Sequence, residues 1–141
     1  MTKKQMFRIL ARAEAEDVAQ MADRIRRSWQ VTIIQEPQKG LAMIKMREPV
    51  KESLFYLGEV IISEAAVELE GARGAAVVMG DDFEKTLNMA VIDAACNKGV
   101  FEEYDRLLQL EDAQTRQLEK ENAMFMKTKV SFNSMTPEVQ S

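Results

Sequence analysis

The 141 residues offer few kinds of side chain for acid–base or ligand chemistry. There is no histidine, so the commonest general base at neutral pH and the commonest zinc ligand are missing. The single cysteine, Cys96, rules out an internal disulfide and reads as a small buried apolar group. Chemistry therefore falls to carboxylates, Lys, Arg, Tyr, hydroxyls and backbone amides, or to a partner. Two carboxylates stand out by position. Glu59 follows Gly58 in the middle of a long strand-like run. It is either an exposed edge carboxylate or an acid at an interface or cleft, where it could bind a sugar hydroxyl or a partner's arginine. Asp93 sits mid-helix between Ile92 and Ala94, where a buried carboxylate is costly unless paired. It is either a structural acid bonded to backbone amides or to an arginine, Arg73 being the candidate, or a functional one. Gly80-Asp81-Asp82 opens a helix, whose free amides could hold an anion. Two adjacent acids favour N-capping there instead. Arg24, Arg26 and Arg27 crowd the end of another helix, which suits its dipole and leaves phosphate binding as the minor alternative.

These residues hang on a regular series of elements. Lys3 to Ala13 reads as a helix. Ala15 to Arg27 reads as a second, with Val18, Met21, Ala22 and Ile25 making one apolar stripe. Trp29 to Glu36 and Leu41 to Arg47 read as two short strands joined by a loop at Pro37–Gly40, an antiparallel hairpin. Pro49 ends the second strand. Ser53 to Leu69 is too long for an unbroken strand, so a bulge or bend is expected at Gly58. Beyond it the pattern alternates, with Glu64, Ala66, Glu68 and Glu70 on one face and Ala65, Val67 and Leu69 on the other. Gly71–Gly74 reads as the turn, and Ala75 to Met79 as a small apolar strand central in the sheet. Phe83 to Lys98 is apolar around almost its whole circumference and predicts a buried helix, stopped at Asn97-Lys98-Gly99. A long helix over Glu102 to Lys127 turns polar after Glu111, and residues 128–141 read as a loose tail.

The fold class expected is α+β: a mostly antiparallel sheet of about four strands with packed helices, and N- and C-terminal helices extending away. One domain spans residues 1–127. The charge is uneven: residues 1–51 hold 11 Lys/Arg and 6 Asp/Glu, residues 52–141 hold 8 and 17. The acidic total, without a basic-aromatic cluster, argues against nucleic-acid binding. No apolar run reaches about 18 residues, so no membrane span is expected. The N-terminal stretch has no signal-like apolar core, which points to the cytoplasm.

Several of these segments together resemble the PhnG family of the bacterial carbon–phosphorus lyase system. The matching pieces are Phe55-Tyr56-Leu57-Gly58-Glu59-Val60, the acid-flanked strand ending Ala66-Val67, Gly74 before a small apolar strand, Gly80-Asp81-Asp82, and Ile92-Asp93-Ala94-Ala95. Val130, Phe132 and Met135 match the family's ending. None is specific singly; their order and spacing carry the likeness. The resemblance implies a complex with PhnH, PhnI and PhnJ type subunits. It implies a first reaction in which an alkylphosphonate displaces adenine from ATP, giving a ribose-1-phosphonate 5-triphosphate. ATP and magnesium then belong to the complex, and no cofactor is expected on this chain alone. The sequence has no phosphate-cradling glycine–lysine loop, so a transferase subunit that is not catalytic alone is expected. Glu59 and Asp93 remain the candidate site residues, and a homo-oligomer is expected. The alternative is a structural module that dimerises through Phe101 to Phe125 and binds no small molecule.

Overall fold

A computed structural model of the chain describes residues 1–47 and 54–135. They form two compact units, residues 1–103 and a second beginning at Tyr104. The first unit runs α1 (Lys3–Arg12), α2 (Ala15–Ser28), β1 (Val31–Arg47), β2 (Leu54–Leu69), β3 (Ala72–Met79) and α3 (Phe83–Lys98). The second is the helix α4 (Tyr104–Met135). Among the described residues no helix is long and apolar enough to cross a membrane.

The α+β class holds, and the sheet is antiparallel throughout, but among the described residues it has three strands in the order β1-β2-β3 rather than about four. The expected hairpin at Pro37–Gly40 does not form. Residues 31–47 are one strand that pairs with β2 over its length. The pairing slips by one residue between Ile33 and Gln35 and again between Gln35 and Gln38, opposite Ala66 and Glu64. Pro37 lies inside the second irregularity of an edge strand, where its missing N–H removes no rung from the ladder. A third slip, between Ile44 and Lys45 opposite Gly58 and Tyr56, is the break expected at Gly58, whose φ is 156°. The expected strand end at Pro49 lies outside the described residues.

The turn into β3 is tighter than expected. Strand β2 stops at Leu69 and β3 starts at Ala72, leaving Glu70 and Gly71 with φ of 43° and 98°. Two positive φ angles in a two-residue loop match the twist of the strands they join. Gly74 is therefore not a turn residue. A Cβ there would lie 2.3 Å from both Ala90 O and Ala94 N, so the absent side chain is what lets α3 lie flush on β3.

Helix α3 is the centre of the first unit. Met89 to Ala95 are all buried, as the all-round apolar pattern predicts. One side packs on the three strands and another on α2. Along β2 the alternation is realised: Ser63, Ala65, Val67 and Leu69 are buried, with Ile62, Glu64, Ala66 and Glu68 half-buried on the other face. The N-terminal helices do not extend away. Met6, Ile9 and Leu10 of α1 and Val18, Met21, Ala22 and Ile25 of α2 are buried, because each stripe needs an apolar partner to leave water. Cys96 is half-buried, with its Sγ 3.3 Å from Met6 Sδ.

Helix α4 also departs from expectation. It continues past Lys127 to Met135, so Val130, Phe132 and Met135 stand on a helix rather than in a loose tail. No Gly or Pro interrupts residues 104–135, and the first proline beyond is Pro137. Nearly every side chain from Asp112 to Met124 is exposed, as the polar sequence predicts.

Candidate functional site

Asp93 is buried, with 5% of its surface exposed. Helix α3 carries it beside the outer edge of β3, where its Oδ2 accepts the Ala75 N–H at 3.0 Å. One turn on, Asn97 Nδ2 donates to Arg73 O at 2.6 Å, and Lys98 Nζ donates to Glu70 O at 3.0 Å. Asp93 and Asn97 thus satisfy two backbone groups on the open edge of β3, and Lys98 holds the turn before it. An edge strand left bare invites another chain to pair with it. The other Asp93 oxygen, Oδ1, has no hydrogen-bond partner among the described residues. It lies 3.3 Å from Lys3 Nζ, which is close enough for charge pairing but not aligned for a hydrogen bond. Arg73 is not the partner: it contributes its carbonyl to Asn97, and its side chain is exposed. Asp93 therefore ties α1, α3 and β3 together.

Glu59 lies on β2 opposite Met43 of β1 and is exposed. Asp93 bonds at Ala75, whose partner on β2 is Ala66. Seven residues of extended chain from Ala66 to Glu59 span roughly 23 Å. The two candidate acids therefore do not share a site.

Several other charged groups are engaged structurally. Asp82 caps α3, its Oδ1 accepting the Lys85 N–H at 3.0 Å. Lys85 Nζ reaches back to Ala11 O and Ala13 O, both at 2.7 Å, and so satisfies carbonyls at the end of α1. Burial pushes Lys85 below the usual lysine range, partly offset by the nearby carboxylates of Asp82 and Glu14. Arg26 pairs with Asp23 and Arg24 with Glu103, so these arginines are matched to acids rather than gathered around an anion. Two open cavities flank Trp29. One, of about 330 Å³, is lined by Arg26, Val31, Ile33, Leu87 and Val91. The other, of about 410 Å³, is lined by Arg24, Ile25, Phe101 and Glu103. Among the described residues no group of three or more His, Cys, Asp or Glu is placed to hold a metal ion.

What the sequence reading missed is the arm. Strand β3 pairs with β2 only as far as Ile62, while β1 and β2 continue together to Arg47 and Leu54. On this two-stranded stretch Leu41 is 67% exposed, Met43 57% and Ile61 49%. Leu41 stands directly across from Ile61, and Met43 lies two residues along the same strand, so the three share a face. On the opposite face at its base, Val77 and Met79 of β3 are also exposed. Placing a turn at Pro37–Gly40 hid this, because it folded Leu41–Arg47 back on Trp29–Glu36. The detectable signal was the length of the β2 run, which needs an equally long partner.

A protein-family model described as "Phosphonate metabolism protein PhnG" matches residues 1–137. No curated protein matches the chain.

Proposed function

The chain belongs to the PhnG family of phosphonate metabolism proteins, and from that premise we propose that it is a non-autonomous, cytoplasmic subunit of a carbon–phosphorus lyase complex. Its partners are PhnH, PhnI and PhnJ type subunits, with more than one copy of this chain in the assembly. The complex transfers the ribose 5-triphosphate of ATP to an alkylphosphonate and releases adenine, with ATP and magnesium as its substrate. This chain supplies contact surface and helps position the site.

The observation that carries the reading is the arm. Large apolar side chains scattered singly on a surface need no explanation, but Leu41, Met43 and Ile61 are contiguous on a two-stranded ribbon. A two-stranded ribbon is marginally stable by itself, and burial against another chain relieves both the exposed area and the weak pairing. Asp93, bonded within the fold, leaves Glu59 as the candidate acid that can reach a partner or a substrate held by one.

Adenine release from ATP and methylphosphonate tests the proposal. The expected result is turnover by the four-subunit preparation, none by this chain alone, and at least a tenfold loss when the chain is omitted. Turnover by the purified chain, or unchanged turnover without it, overturns the reading.

A further inference from the structure

The three-stranded sheet has three long edges, and they are treated differently. The outer edge of β3 is occupied at Ala75 and Arg73 by Asp93 and Asn97 from α3. The outer edge of β1 is broken by Pro37 and by two register slips. Both are recognised ways of keeping a strand edge from recruiting another chain. The third edge is the side of β2 beyond the end of β3. There Leu54–Val60 has no strand beside it among the described residues. Its sequence, Leu-Phe-Tyr-Leu-Gly-Glu-Val, has no proline, no lysine and one charge. Such a segment pairs readily with another strand.

The ladder fixes which groups point outward. Gly80 N–H donates to Ile61 O at 2.8 Å, so the Ile61 carbonyl faces the β3 side. Backbone groups two residues apart along a strand point the same way. The N–H and C=O of Glu59 are thus the next rung of the β3 ladder, and β3 has left the sheet before reaching them. Its departure point adds charge: Asp81, directly after Gly80, is exposed, as is Glu59 itself. Opposite Glu59 on β1 stands the uncharged Met43.

We propose that an extended segment of a partner protein adds to this edge as a fourth strand, hydrogen-bonding the backbone of Glu59 and its neighbours and placing a lysine or arginine against the Glu59 carboxylate. The proposal rests on the subunit reading above and names the surface through which it works. Main-chain bonds supply the affinity in strand addition and side-chain positions supply the selectivity. The pair of acids where β3 ends selects a basic residue. A second copy of this chain is the poorer occupant, since its own copy of this edge brings another glutamate and no cation.

The test is hydrogen exchange on the full chain, alone and in the co-expressed complex, together with the affinity of Glu59→Lys. The expected result is at least tenfold slower exchange at Leu57–Val60 on assembly, with β3 amides unchanged, and at least tenfold weaker assembly of the variant. Exchange of the α3 amides in the free variant checks that it folds. A complex that forms while the exchange of Leu57–Val60 stays the same overturns strand addition and leaves the subunit reading standing. Failure of any complex to form overturns both. Protection that appears in the chain alone and grows with its concentration assigns the edge to a second copy and overturns the basic partner.

Discussion

Residues Ser63–Leu69 and residues Leu54–Ile61 belong to one strand, yet their surroundings are opposite. The first stretch has α3 against its inner face and β3 along one side, and its inward side chains are fully buried. Among the described residues the second has β1 on one side and no strand on the other, and Ile61 at its inner end is half exposed. Helix α3 covers one half of this strand, while the apolar side chains Ile61, Leu41 and Met43 around the other half are exposed. Stability and assembly should therefore separate along β2, and substitutions in the two halves should fail differently.

The largest effect is expected at Gly74, in the covered half. Any side chain there meets backbone atoms of α3, which cannot rotate aside. Gly74→Val should cost about 3 kcal/mol or more, the upper end for overpacking, read from urea unfolding. A stability loss below about 1 kcal/mol would mean α3 can lift from β3 freely, and the contrast between the halves would weaken.

Asp93→Ala comes next. It removes the charged acceptor of the Ala75 N–H, a loss of about 1.5–3 kcal/mol for a hydrogen bond to a charged group. Asp93→Asn keeps an acceptor for Ala75 and should lose less than Asp93→Ala in the same titration. Adenine release per folded molecule should be unchanged in Asp93→Asn. A large drop there at unchanged stability would move Asp93 into the chemistry.

Leu41→Ser with Met43→Ser should do the reverse of Gly74→Val. Both side chains are exposed, so free-chain stability should shift by no more than about 0.5 kcal/mol. Assembly, read by size-exclusion of the co-expressed subunits, should fall at least tenfold. Intact assembly would remove the arm's face from the interface.

The smallest effect concerns Lys85. Burial lowers its folded-state value below the unfolded 10.5, so between the two the unfolded chain holds more protons. Stability contributed by this group should then rise as pH climbs towards 10.5. Wild type should gain on Lys85→Gln in thermal midpoint across that window, and a flat difference would show that the amine is not desolvated.

Much of the covered half was legible. The stripe on α2, the all-apolar circumference of α3, its Asp82 cap and the alternation of β2 are short-range patterns, and each element formed as its period predicts. The errors came where a residue answers to something distant. Gly74 looked like a turn glycine because its neighbour in space, α3, lies well along the chain. Ala75 to Met79 looked central because it is apolar, yet β3 is an edge whose exposed amide is taken by Asp93. Pro37-Gln38-Lys39-Gly40 looked like a loop because proline and glycine usually are one, and only pairing with β2 reveals a bulged strand. Of the site candidates, Asp93 shows by its mid-helix place that it needs a partner, but nothing local points to Ala75 or Lys3.

The sequence by itself determined α2, α3, the long β2 run, the α+β class and the family, since helical and strand periods, caps and the order of short motifs are all written locally. Only the tertiary structure decided which strand is central, why Gly74 has no side chain and where the open edge lies. Those depend on which segments meet across tens of residues, and a sheet edge is defined by the strand that is not there.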